Sequence, residues 1–367
     1  MSRKFIYLGS IPLFLMGIWF AMTTFSGVSQ PPPVSLQSKS NMDSQKILVM
    51  GVGDIMLGSN YPSVQLLPPK DGTDLLMEAT PLLQSADIAF GNLEGVLMTG
   101  KGVPKHCRDE KHCYVFKSPD HYVHHLSAAG IDVVSIANNH TGDFGQKGRE
   151  HTVGVLKKEG LIFAGHVEYP YSLFERKGVR YGFCAFAPNQ GTMSVNDAER
   201  AVELISRLND SCDILIVSMH IGAEGTKYNH VTRKQEIFLG ENRGDPYHFA
   251  RLVIDAGADI VFGHGPHVVR AVDVYKGRFI AYSLGNFATY GTINVKGING
   301  YAPLVAVEMD REGRFVGGRI YSFLQEKGAG PRPDNQHSAA KEIRRLTMSD
   351  VPETSLLIDS VGVIGMK

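Results

Sequence analysis

From Lys46 onward, short apolar runs alternate with segments in which apolar residues return every three or four positions. The first rhythm suits strands and the second suits amphipathic helices. The runs in "KILVMGVGD", "IAFGNLEG", "IDVVSIANNH", "LIFAG", "VRYGFCAFAP", "CDILIVSMH" and "DIVFGH" predict strands. Between them, "DLLMEATPLLQSAD", "PDHYVHHLSAAG", "GQKGREHTVGVLKKEG", "DAERAVELISRL" and "YHFARLVIDAG" predict helices. Pro81 interrupts the first of these; Pro119 and Gly130 bracket the second as start and stop signals. A polar insertion covers 222–246. The last third changes character, because "HVVRAVDVYKGRFIAYSLGNF" and "PLVAVEMDREGRFVGGRIYSF" read as hairpins with glycine-containing turns. Strands that alternate with helices favour parallel pairing under helical cover. The hairpins favour a second, antiparallel sheet. The expected architecture is a layered α/β sandwich with two sheets inside and helices outside.

The N-terminus follows a different pattern. Arg3 and Lys4 precede an apolar stretch over 5–25, after which Pro, Ser and Gln dominate. A stretch of about 20 apolar residues is long enough to cross a bilayer, and leading basic residues hold the N-terminus in the cytoplasm. Residues 1–29 therefore read as a signal peptide or an N-terminal membrane anchor. The length of the apolar run favours the anchor. Residues 30–45 read as a disordered linker, 46–330 as the folded domain and 331–367 as a C-terminal tail. The expected location is the cell envelope, membrane-anchored, periplasmic or extracellular.

Charge and cysteine content narrow the classes further. Basic and acidic residues balance at 37 each, so the basic surface of a nucleic-acid binder is not expected. Export changes the reading of Cys107 and Cys113, which flank "RDEKH" in a polar loop. A short disulfide suits an oxidising compartment; a zinc site with His106 and His112 is the rival. Cys184 and Cys212 lie in or beside apolar runs and read as inert thiols.

Sites in parallel sheets collect at the carboxyl ends of strands. Five predicted strands each stop on a ligand type: Asp54; Asn92 and Glu94; Asn138, Asn139 and His140; His220; then His264 and His267. In "GHGPH" two histidines are held by Gly263, Gly265 and Pro266, a tight turn able to aim both rings inward. Carboxylate, amide and imidazole together suit a borderline divalent ion such as Zn²⁺, Mn²⁺ or Fe²⁺. An oxygen-lined Mg²⁺ or Ca²⁺ site fits the histidines poorly.

The order "GDIMLG", "NLEG", "ANNHTGDFG", "MHIGAE", "GHGPHV" and "YSLGNF" resembles the bacterial capsule synthesis protein CapA family. That family includes the PgsA-type component of poly-γ-glutamate synthesis and is related to calcineurin-like metallophosphoesterases. The resemblance covers 47–287 and implies a four-layer α/β sandwich of the calcineurin-like metallophosphoesterase type, with a metal pocket above the sheets. It implies Asp54, Glu94, Asn139, His220, His264 and His267 as metal ligands and His140 as the catalytic group facing the substrate. Met56 stands where the broader phosphoesterases carry a histidine. Glu94, Asn139, His220 and His264 then form one full ligand set, while Asp54, Glu94 and His267 form a depleted one. A thioether binds such ions poorly, so one firm ion is expected and a second weak or absent one. Asn92, Asn138 and Glu224 are candidates to support these ligands from behind.

Two functions follow from the resemblance. One is a membrane-tethered accessory protein of capsule or poly-γ-glutamate synthesis or export, working with other proteins of that assembly and an anionic polymer. The other is an envelope metallophosphoesterase. Lys227, Arg233, Lys234 and Arg243 in the polar insertion could attract a polyanion or form a solvated face. "YSLGNF" reads as packing, with Asn286 bonded to a loop.

Overall fold

The first strand, Ile47–Met56 (β1), is buried along both faces, which suits a strand covered on both sides. In the computed structural model, which describes residues 46–106, 113–291, 293–326 and 328–367, β1 is the central strand of the larger of the two main sheets. The other strands of the two sheets are Ile88–Leu93 (β2), Val133–Ser135 (β3), Ile162–Ala164 (β4), Tyr171–Arg176 (β5), Val179–Phe186 (β6), Ile214–His220 (β7), Ile260–His264 (β8), Val272–Tyr275 (β9), Arg278–Ala281 (β10), Asn286–Thr289 (β11), Leu304–Met309 (β12), Phe315–Tyr321 (β13), Leu356–Ile358 (β14) and Val363–Met366 (β15). The larger sheet runs β14-β15-β13-β12-β1-β2-β3-β4, with β11 also on β1. The smaller runs β9-β10-β8-β7-β6-β5. Helices are Thr80–Leu83 (α1), Val123–Ala129 (α2), Gly145–Glu159 (α3), Ala198–Asn209 (α4), Pro246–Asp255 (α5) and Ser338–Asp350 (α6).

Alternation along β1 and β2 explains the layering. Met50, Val52 and Ala89 pack with Leu83, Leu126 and Leu156 of α1, α2 and α3. Val49 and Phe90 face the smaller sheet, whose other side is covered by Leu204 and Leu208 of α4 and by Phe249 and Val253 of α5. Phe90 stacks on Phe262 at 5.2 Å between ring centres. Gly51 belongs to the same interface, since a methyl group there would lie 2.4 Å from the Phe262 ring. Two sheets face to face with helices outside is the expected arrangement of layers.

Several expectations differ from the structure. The hairpins do not make a sheet of their own. The hairpin β9–β10 joins the smaller sheet through β10, parallel to β8, and β12–β13 joins the larger one through β12, antiparallel to β1. Both sheets are therefore mixed, because each hairpin buries its apolar face by extending an existing sheet. Residues 331–367 are no tail: α6 buries Ala339, Ala340, Ile343 and Leu346, and β15 pairs with β13. The described residues from 46 to 367 belong to one unit. The "DLLMEATPLLQSAD" helix shrinks to α1, with Pro81 in its first turn. The strand β5 has no counterpart among the sequence expectations, its mostly exposed side chains leaving little apolar signal.

The membrane segment expected over 5–25 lies outside the described residues, as do the linker 30–45 and Cys107. Among the described residues no helix is long and apolar enough to cross a membrane. Cys113 is disulfide-bonded, and Cys184 and Cys212 are free thiols.

Candidate metal centre

Every residue singled out at a strand end lies at the carboxyl edge of one of the two sheets. Asp54 sits near the end of β1, where the register shifts against both β2 and β11. β12 flanks β1 over Ile47–Val52, and β11 takes over at Asp54. Gly53 makes this exchange possible: a Cβ there would stand 2.0 Å from the Gly285 carbonyl oxygen, which accepts the Asp54 N–H at 2.9 Å. Asp54 is thereby in register with Asn92 on one side and Asn286 on the other. His220 and His264 end β7 and β8 as register partners. His267 follows in a tight turn with φ of 57°.

A polar network ties together the ends of β1, β2 and β8 and the loop after β3. The Asn92 amide donates to Asp54 Oδ1 and to Glu94 Oε2, each at 2.8 Å. Asn138 donates to Asn92 Oδ1 at 3.1 Å and to the Leu93 carbonyl at 2.8 Å, while its own oxygen accepts the His140 N–H. Asn138 is thus a clamp between β2 and the loop after β3. His264 Nδ1 lies 3.2 Å from Asp54 Oδ1, and His267 Nδ1 2.8 Å from Asp54 Oδ2. The Asn286 amide donates to the His267 carbonyl at 3.2 Å.

The electrostatics favour a bound cation. Asp54 is 0% and Glu94 2% exposed, and removing two ionised carboxylates from water is expensive unless positive charge compensates. Burial raises the pKa of Asp54, but hydrogen bonds from His264 and His267 outweigh it and hold the group well below the ordinary carboxylate range. Burial, then the neighbouring Asp54 charge, pushes Glu94 well above that range. Burial lowers His267, but the Glu94 charge and the Asp54 hydrogen bond overcome it and bring the imidazole to about 10. His220 is driven well below its ordinary value by burial.

The donor set fits a divalent ion. Glu94 Oε1, Asn139 Oδ1, both ring nitrogens of His220 and His264 Nε2 are buried without a hydrogen-bond partner among the described residues. Buried polar atoms in folded proteins are normally paired. Ligand atoms of Asp54, Glu94 and His267 lie within 4.8 Å of one another; this is the set expected to be the weaker one. His267 Nε2 stands 3.9 Å from Glu94 Oε1, too long for a hydrogen bond and short enough for both to reach one ion at about 2 Å each. Met56 is buried and lines a neighbouring cavity of about 170 Å³ with Tyr61, Phe116 and Tyr290.

His140 stands beside this cluster. Its Nδ1 bonds Asp143 Oδ2 at 2.8 Å, and its Nε2 faces Glu94 Oε1 at 4.0 Å. Asp143 escapes a reading of the sequence, although its spacing of three residues from His140 is legible there. It also accepts the Phe116 N–H at 2.7 Å and pairs with Lys105 at 2.6 Å. The Phe116 ring lies 4.2 Å from the His140 ring. Beneath the same loop, His166 Nε2 accepts the Thr141 hydroxyl. Burial, then the Arg149 charge, lowers His166 to about 4, so it folds neutral. As pH falls from about 6.5 toward 4 the unfolded chain takes up a proton that the folded one refuses, and stability falls by about 3 kcal/mol. Urea unfolding across this range checks it: His166→Leu is expected to flatten that part of the slope.

The polar insertion is held more tightly than its composition suggests. Arg243 is buried and pairs with Glu224 at 2.8 Å and Glu241 at 3.1 Å. Arg233 pairs with Glu353. Only Lys227 and Lys234 of the four cations are exposed.

Residues 48–290 match the family model described as Bacterial capsule synthesis protein PGA_cap. The Capsule biosynthesis protein CapA of Bacillus anthracis is 30% identical over 267 residues, 67% of this chain and 60% of that protein. The PGA biosynthesis protein CapA of Bacillus subtilis (strain 168) is 29% identical over 306 residues, 78% of this chain and 72% of that protein. The alignment thus spans less than two thirds of the anthrax relative's length. Among solved structures, a hypothetical protein from Thermus thermophilus aligns at a TM-score of 0.45 and 17% identity, covering 76% of this chain and 99% of that one.

Proposed function

The chain belongs to the bacterial capsule synthesis protein PGA_cap family, and on that premise we propose that it serves capsule or poly-γ-glutamate synthesis or export through a divalent-metal pocket. The observation that carries this reading is the set of buried, unpartnered atoms on Glu94, Asn139, His220 and His264. Asp54, Glu94 and His267 would hold one ion, and Glu94, Asn139, His220 and His264 a second. Zn²⁺, Mn²⁺ and Fe²⁺ suit these donors. A calcineurin-like metallophosphoesterase arrangement agrees with ligands drawn from the carboxyl ends of both sheets. An exported protein tethered by 5–25 would present this pocket to an anionic polymer and to partner proteins in the envelope.

A second reading, hydrolysis of a phosphoester, is favoured by one feature. The Asp143 carboxylate accepts from His140 Nδ1, leaving Nε2 to face the pocket and carry a proton to or from a bound group. A bound ion would supply Lewis acidity and charge neutralisation. The residues themselves position, exclude water and move that proton.

Metal analysis of the full-length protein tests the first reading. One or two tightly held transition ions are expected, with a His220→Ala, His264→Ala variant losing at least one. Absence of any retained or reloadable ion would remove the pocket from the account. For the second reading, His140→Ala is expected to lower phosphodiester turnover by about 10²–10⁴ with metal content unchanged. No turnover by the metal-loaded wild type on any ester tested leaves the accessory role alone.

A further inference from the structure

The polar insertion carries an ion pair that meets one residue of the proposed ligand set. Glu224 Oε1 accepts from the Asn139 amide at 3.4 Å and from Arg243 Nη1 at 2.8 Å. A carboxylate can only accept, so the Asn139 atom facing it must be nitrogen. The other end of the amide, Oδ1, is buried without a hydrogen-bond partner among the described residues. An amide free to flip would present nitrogen to the pocket about as readily as oxygen, and an N–H group cannot serve as a ligand.

Arg243 is placed to hold Glu224 in this role. Its side chain is 6% exposed, it bridges Glu224 and Glu241, and its guanidinium lies 5.5 Å from the Phe238 ring centre. Its backbone is pinned as well, through its N–H to the Glu236 carbonyl and its carbonyl to the Gly222 N–H, each at 2.8 Å. We infer that Glu224, held by Arg243, is a positioning residue that fixes the Asn139 amide with its oxygen toward the metal pocket. This rests on the metal reading proposed above and adds to it a device supplied by the insertion rather than by a strand end.

Two conservative variants separate reach from charge. Glu224→Gln keeps the length and an accepting oxygen but removes the charge. Glu224→Asp keeps the charge but withdraws it by one methylene from a contact already 3.4 Å long. Mn²⁺ alone, and Zn²⁺ alone, are titrated calorimetrically into chelator-stripped full-length protein. Glu224→Gln is expected to bind within about threefold of wild type, and Glu224→Asp about 10-fold or more weakly, the range seen when a ligand's supporting partner is lost. In an Asn139→Ala background the Asp change is expected to add nothing, because its effect runs through that amide. Metal-free melting curves confirm that each variant is folded. The reverse order, Gln weak and Asp unchanged, would make Glu224 a mere charge and overturn the inference. Equal affinities in all three proteins would overturn it too. A wild type that binds neither ion defeats the metal reading itself, a result plainly different from binding that ignores residue 224.

Discussion

Arg270→Met is expected to lower the unfolding free energy by about 3–5 kcal/mol, the usual loss when one partner of a buried pair is removed. Arg270 is fully buried and grips both oxygens of Glu236, at 3.0 and 2.8 Å, while its Nε donates to the Tyr228 carbonyl at 2.8 Å. Glu236 in turn accepts the Ala223 N–H at 2.7 Å. Methionine roughly preserves the volume but leaves the buried carboxylate without its cation. Joint replacement, Arg270→Met with Glu236→Leu, is expected to recover much of the loss, because apolar pairs of similar volume often equal buried ion pairs in stability. Urea unfolding measures both. A loss under about 1 kcal/mol for the single variant would show that the pair does not anchor the insertion, the segment that carries Glu224 and Arg243.

Glu94→Gln is expected to weaken divalent-ion binding by more than the about 10–100-fold typical of an outer supporting partner. Glu94 is shared by both proposed ligand sets, and the substitution keeps an oxygen to accept from Asn92 while removing a full charge. The metal-free protein should respond in the opposite sense. The folded pKa of Glu94 is raised by burial and by Asp54, so the unfolded chain releases its proton first as pH rises. Ionisation therefore erodes metal-free stability above the ordinary glutamate value of about 4.5. Glu94→Gln abolishes that erosion. Near neutral pH the metal-free variant should melt higher than metal-free wild type, while Mn²⁺ should raise the wild-type melting temperature and leave the variant nearly unmoved. Equal gains from Mn²⁺ in both proteins would remove Glu94 from the ligand set.

Much of this molecule is readable without the fold, for identifiable reasons. Strands such as Ile214–His220 are apolar on both faces and end abruptly on a polar residue, and that local pattern is enough to predict a covered strand with a ligand type at its tip. Helices such as Ala198–Asn209 carry their own periodicity and an Asp197 cap that accepts the Arg200 N–H. The hairpins are legible as hairpins, but not which sheet each extends. β5 leaves too weak an alternation. The apolar face of α6 is present in the sequence, yet its position at the end of the chain reads as a tail until the core it covers is known.

At the site the division is sharper. Residue types at strand ends are a local property, so Asp54, Glu94, Asn139, His140, His220, His264 and His267 can be named from the chain alone. Which atoms face one another is not local. Asp54 meets His267 across 213 positions, and Asn139 meets Glu224 across 85. Local sequence was enough for the covered strands, the helices that cover them and the chemistry offered at the strand ends, because periodicity and composition act over a few neighbouring residues. The assembled fold alone placed each hairpin on its sheet, paired Arg243 with Glu224 and Asp143 with His140, and left several buried polar atoms without partners among the described residues. Those outcomes depend on contacts between distant segments, whose geometry is set by the packing of the whole core.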